Sequence, residues 1–226
     1  MKRAFFASLL LSAALPASAI PVTWEASGTL DYVSDTAGLL PFTVNAGDAW
    51  TLTMRLDTEL LPYETDGSTF SQFRGFDGGQ LTVGSNVLDL PSSSFLTYVN
   101  IGNDATSHFF GVGFQSNNLP QPGSYVVSMN LQGLGAGPLA IDSIPFEPPS
   151  LNDYSSFAYF NLIRFGDLNQ AGTSYTSGSI GDNNIESLIK VASPSASVPE
   201  PGTVALLSMS FAALALFRRR TEKRSA

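Results

Sequence analysis

His108 is the only histidine of the chain and stands four residues after Asp104, the nearest approach in sequence to the histidine–carboxylate pair of nucleophilic hydrolysis. Such chemistry needs a serine held against the imidazole, and no Gly-x-Ser-x-Gly elbow occurs. His108 alternates instead with Phe110 and Val112, which reads as packing at a strand end. Cysteine is absent, which excludes thiolate nucleophiles, thiolate-held metals and iron–sulfur clusters, and one histidine is too few for a zinc site built on imidazoles. Paired carboxylates for glycoside hydrolysis stay open. Seventeen of the nineteen acids fall between residues 20 and 199, and the separation of roughly 5 to 10 Å that such a pair needs is not legible in sequence. Most of these acids occupy turns and strand edges, where aspartate is expected for backbone reasons alone.

Two segments carry residues suited to binding. Sugar rings stack on exposed aromatic faces, and Phe70, Phe73 and Phe76, spaced by three and flanked by Glu64, Asp66, Arg74 and Asp77, form a possible ligand loop within Tyr63–Gly79. The same three rings could instead plug an open end of a sandwich. Trp24 and Trp50 fall on the apolar side of alternating segments and are expected in the core. Asp182, Asn184 and Glu186 place oxygen ligands at alternating positions, as calcium loops do, but without the glycine and distal glutamate of an EF-hand. A polar turn before the last strand explains that run equally well. No cofactor is expected.

The elements that must position these residues are strands. Of 226 residues, 43% are hydrophobic and only 13% charged, with 20 glycines and 14 prolines, a composition that excludes coiled coils and highly charged disordered chains. Period-2 alternation runs through Trp50, Leu52, Met54 and Leu56, through Trp24, Ala26, Gly28, Leu30 and Tyr32, and through Tyr125, Val127, Met129 and Leu131. Phe110-Val112-Phe114 and Phe157-Tyr159 with Ile163 add two more strands, Gln80–Leu90 a hairpin turning at Gly84-Ser85-Asn86, and Leu96–Ile101 and Ile185–Val191 two weaker ones. Eight or nine short strands predict an all-β fold, an antiparallel two-sheet sandwich of jelly-roll-like type over residues 20–192. The proline-bearing stretch Gly133–Ser156 is expected to cross between sheets, and residues 193–198 to form a linker. Within the body, Arg55, Arg74, Arg164 and Lys190 face seventeen acids, a net charge of −13. A surface this acidic repels phosphate backbones, so no nucleic-acid partner is expected.

Both ends are basic and read as signals. Lys2 and Arg3 precede an apolar run from Ala4 to Leu15, then Pro16 and Ala17-Ser18-Ala19, the pattern of a secretory signal peptide (1–19) cleaved after Ala19, with Ala17 and Ala19 as its small-residue positions. At the other end, residues 203–217 are uncharged and are followed at once by Arg218, Arg219 and Arg220. Fifteen residues make a helix of roughly 22 Å against a hydrocarbon core of roughly 30 Å. Snorkelling arginines and local thinning cover the difference, and the positive-inside rule leaves the arginines cytoplasmic. Before this transmembrane helix stands Pro199-Glu200-Pro201, held extended by its two prolines and so presented as an accessible peptide at the membrane surface.

The order Val-Pro-Glu-Pro, short apolar helix, arginine cluster over residues 199–226 resembles the PEP-CTERM sorting signal of exopolysaccharide-producing Gram-negative bacteria. The resemblance implies a processing partner, exosortase, a membrane-embedded cysteine protease whose catalytic groups belong to that enzyme. It also implies an inner-membrane intermediate on the way to the cell surface or beyond, after export by the general secretory route. The body then reads as a non-catalytic structural or adhesive β-sandwich of a surface or biofilm matrix, associated with exopolysaccharide. The alternatives are a carbohydrate-binding module, favoured by exposed aromatic side chains on one sheet, and a glycoside hydrolase, favoured by two carboxylates facing across a cleft. Replacing Pro199, Glu200 and Pro201 by alanine removes both φ locks and the charge while sparing the apolar span and Arg218–Arg220. The expected outcome, in a host with the processing enzyme, is unprocessed protein trapped in the membrane fraction at full mass. If the wild-type chain also keeps its arginine tail there, the sorting reading fails.

Overall fold

A computed structural model describes residues 21–116, 122–154, 156–168 and 175–192. The predicted signal helix with Ala17 and Ala19, the helix over 203–217, Pro199-Glu200-Pro201 and Arg218–Arg220 lie outside the described residues. Among those described, no helix is long and apolar enough to cross a membrane.

Thirteen strands make up the described chain: β1 (Val22–Thr29), β2 (Tyr32–Ser34), β3 (Ala49–Leu56), β4 (Glu64–Thr65), β5 (Phe70–Arg74), β6 (Gly78–Val83), β7 (Asn86–Pro91), β8 (Phe95–Asn103), β9 (Ser107–Ser116), β10 (Tyr125–Leu134), β11 (Phe157–Leu168), β12 (Tyr175–Asp182) and β13 (Ser187–Val191). They form two antiparallel sheets, β13-β1-β3-β6-β7 and β2-β12-β11-β10-β9-β8-β5-β4. The alternation in the sequence is the reason. In β3, Trp50, Leu52, Met54 and Leu56 are buried while Arg55 is exposed, and in β9 and β10 Phe110, Val112, Phe114, Val127, Met129 and Leu131 face the same interior. Trp24 and Trp50 are fully buried, as their alternation predicts. Trp24 packs at a tilt on Phe110, with ring centroids 5.6 Å apart, and Trp50 stacks on Phe160 at 4.1 Å.

Several expectations need correction. Strands β8 to β12 run as a meander within one sheet, so the chain does not alternate between layers as a jelly roll requires. The stretch from Gly133 to Ser156 does not cross between sheets. It joins β10 to β11, which pair directly, and it carries a short 3-10 turn at Leu151–Tyr154 and the buried Ile144, which packs on the core. Tyr32 does not continue β1; the chain turns after Thr29 and Tyr32 enters the other sheet beside Gly181. The expected aromatic loop is mostly a strand: Phe70 to Arg74 is β5, paired with β8.

Phe160 lies at the centre of the interior, 1% exposed against Trp50. Phe160→Ala is expected to cost about 3 to 5 kcal/mol, the usual range for deleting a buried aromatic. Chemical denaturation measures it, and a loss under about 1 kcal/mol would mean that the two layers do not depend on this stack.

Candidate functional site

The outward side of the eight-stranded sheet carries a pattern that the core does not explain. Register places residues in straight rows across the strands, and residues in one row share a face. One row reads Arg74, Tyr98, Gly113, Ser128, Asn161, Gly181, Tyr32. At about 4.8 Å per strand it extends roughly 29 Å. The next reads Glu64, Gln72, Asn100, Gly111, Asn130, Tyr159. The third reads Phe70, Gly102, Phe109, Gln132, Phe157. Carboxamides, hydroxyls, aromatic rings and glycines fill all three, and their only charges, Arg74 and Glu64, stand at the β5–β4 edge.

The glycines allow the rings to lie down. A Cβ on Gly113 would sit 2.1 Å from Cζ of Tyr98, one on Gly102 2.0 Å from Cε1 of Phe109, and one on Gly181 2.5 Å from the hydroxyl of Tyr32. Each ring therefore covers the bare backbone of the neighbouring strand and turns its other face outward. Gly111 accommodates the Asn130 carboxamide in the same way.

Short hydrogen bonds orient the amides. Ser128 donates its hydroxyl to Oδ1 of Asn161 at 2.7 Å and accepts from Nδ2 of Asn130 at 3.2 Å. Gln72 donates to Oδ1 of Asn100 at 2.9 Å and accepts from Nε of Arg74, whose guanidinium lies 4.0 Å over the exposed Tyr63 ring. Nδ2 of Asn100 and of Asn161 has no hydrogen-bond partner among the described residues. The hydroxyls of Tyr32, Tyr98 and Tyr159 likewise have no hydrogen-bond partner among the described residues. Burial, and secondly the neighbouring Tyr159 phenol, push both Tyr98 and Tyr32 above their ordinary value of 10. The Tyr98 and Tyr32 hydroxyls therefore keep their protons at neutral pH and can both donate and accept.

The residues singled out from sequence are placed differently. Phe73 and Phe76 are fully buried, Phe76 edge-on to Phe114, so of the possible ligand loop only Phe70 reaches the surface, tilted against Phe109 at 6.1 Å. Asp182 is 2% exposed and does not face solvent as a calcium ligand would. Its Oδ2 accepts the indole N–H of Trp50 and its Oδ1 the main-chain N–H of Asn184, both at 2.7 Å. Burial raises its carboxyl above the ordinary range. Asn184 and Glu186 are exposed, and among the described residues no three His, Cys, Asp or Glu side chains group to hold a metal. His108 is buried with Nδ1 and Nε2 at 2.9 and 2.8 Å from the carbonyls of Gly135 and Asp153, its ring edge-on to Tyr154. Asp104 instead caps the β8–β9 turn, where the Thr106 hydroxyl and then the N–H groups of Thr106 and Ser107 hold its carboxyl down to about 2.

Sequence reading passed over Tyr98, Tyr159, Asn100, Asn130 and Asn161. The available signal was their place at the outward positions of otherwise apolar strands, opposite the in-strand glycines 111 and 113. Gly113→Ala tests whether the flat rings matter. The added methyl meets only the far end of a side chain, so the fold should survive with a nearly unchanged melting temperature. Tyr98 must swing off the sheet, and any ligand affinity of this face should fall about tenfold.

No curated protein and no solved structure matches the chain. Residues 197–220 match the PEP-CTERM protein-sorting motif, which supports export and sorting by way of the membrane enzyme exosortase.

Proposed function

We propose that the β body is a non-catalytic glycan-binding domain, carried to the cell surface by its sorting tail, whose broad sheet face holds an uncharged stretch of exopolysaccharide. One observation carries the reading. Tyr32, Tyr98 and Tyr159 present hydroxyls with no partner among the described residues, and the Tyr32 and Tyr98 rings lie over bare glycines, among fixed carboxamides on a surface roughly 29 Å long. Sugar rings offer two things to a protein, C–H faces that stack on aromatic rings and hydroxyls that both donate and accept, and this surface matches both. A flat face without a deep pocket suits a polymer lying along it better than a small metabolite. Glu64 is the one acid in these rows, and an acidic polymer would be disfavoured by the whole domain.

The glycosidase reading asks for two carboxylates across a cleft. The cleft beside Phe157 is lined by one, Glu186, and the recess near Asp35 by one whose oxygens accept from the N–H groups of Leu39 and Leu40. His108 has both ring nitrogens at hydrogen-bond distance from main-chain carbonyls, which leaves neither for a nucleophile.

Affinity electrophoresis of the full chain through gels containing uncharged polysaccharides, the cell's own included, tests the proposal. Retardation is expected with at least one, weakened about tenfold or more by Tyr98→Ala or Tyr159→Ala, since a stacking surface and a hydrogen bond together contribute on the order of 1 to 3 kcal/mol. Migration unaffected by every uncharged polymer would refute it.

A further inference from the structure

A separate recess of about 570 Å³ opens beside the start of β11, lined by Asn152, Ser156, Phe157, Asn183, Asn184 and Glu186 among others. Its volume lies within the range of small-molecule sites. Its walls come from three places in the chain: the 3-10 turn, the first residues of β11, and the segment between β12 and β13. That last segment is fixed at its main chain. Asn183 donates its N–H to Oδ2 of Asp31 and Asn184 to Oδ1 of Asp182, each at 2.7 Å, while Ile185 is buried and Asn184 bridges to Ala158.

With the backbone so held, the carboxamides of Asn183 and Asn184 stand exposed, and Asn152 stands exposed across from them. None of the three has a side-chain hydrogen-bond partner among the described residues. Phe157 is 45% exposed, a large apolar side chain left in water, and leans on Tyr159 at 4.6 Å. Glu186 accepts from the Thr29 hydroxyl through Oε1, leaving Oε2 without a partner there.

We infer that this recess is a second saccharide site, adjoining the sheet face at Phe157, that takes one uncharged pyranose as a chain end or branch. A carboxamide carries a donor and an acceptor side by side, which is the arrangement that two adjacent sugar hydroxyls complement, and three of them with a free carboxylate oxygen can satisfy most of one ring's hydroxyls. Phe157 supplies the apolar wall for the C–H face. Two sites on one rigid body make the protein able to bridge two glycan strands, with the gain in avidity that bivalency brings.

The chain contains its own reporter. Asp182 joins Asn184 to the Trp50 indole through its two oxygens, and Trp24, the only other tryptophan, lies elsewhere in the core. Two-dimensional NMR of the ¹⁵N-labelled full chain, titrated with glucose, galactose, mannose, glucosamine and calcium chloride, follows both indole N–H signals. At least one neutral hexose should shift the Trp50 signal saturably and leave Trp24 in place. The Asn183→Ala/Asn184→Ala pair should weaken that binding at least tenfold and Tyr98→Ala should leave it unchanged, which separates this site from the sheet face. If the double variant loses the native Trp24 signal, Asn152→Ala provides the same test without touching the segment's backbone anchors or the sheet face. The inference is overturned if no neutral hexose moves Trp50, if only glucosamine or calcium does, or if Tyr98→Ala abolishes the effect.

Discussion

An indole N–H of β3 donated to a carboxylate of β12 fastens one sheet to the other at 2.7 Å, and the arrangement on both sides follows from it. Gly28 makes room: a Cβ there would lie 2.1 Å from Oδ2 of Asp182 and 3.1 Å from the Trp50 nitrogen. Burying a carboxylate is costly unless its oxygens are bonded, and here both are, by Trp50 and by the main chain of Asn184. Phe160 stacks on the same indole from β11. Asp182 therefore sets the end of β12, and through it both the seat of Tyr32 beside Gly181 and the course of residues 183–185. The sheet face and the recess, which meet at Phe157, rest on one buried contact.

Charge is distributed in a way that separates solubility from recognition. The body's −13 keeps an exported domain soluble without disulfides and repels polyanions. Many of the acids are also tied into turns: Asp66 accepts from the Thr69 hydroxyl and from the N–H groups of Ser68, Thr69 and Phe70, which hold its carboxyl far below the ordinary range. Asp104 and Asp35 likewise accept main-chain N–H groups within their own loops. Apart from Arg74 and Glu64 at one edge, the three outward rows are left to amides, hydroxyls, rings and glycines.

The sorting tail and the body answer to different physics. The tail's message is local: two prolines that fix φ, an apolar run, and an arginine stop can be read by an enzyme in sequence order. The motif begins six residues beyond Val191, the last residue of β13. Nothing in that message constrains what the body binds, so the same tail can deliver unrelated domains.

Sequence alone supplied the sorting motif, the strand character and the core. Alternation in Trp50–Leu56 and Tyr125–Leu131 is enough to bury one side of each strand, whatever the partner strands are. It failed where the pattern is silent or shared. Tyr175–Asp182 is built of small and polar residues with no apolar alternation, yet it is a central strand of the larger sheet because β11 and β2 supply its hydrogen bonds. Phe70, Phe73 and Phe76 at intervals of three looked like a loop cluster, but a strand followed by a turn at Gly75 sends Phe73 and Phe76 inward and leaves Phe70 outside. Tyr32, Tyr98, Asn161 and Tyr159 are spread over more than a hundred residues, and only strand register brings them onto one face. Register is fixed by which hydrogen bonds close between distant segments, a property of the folded sheet that no local window of residues contains.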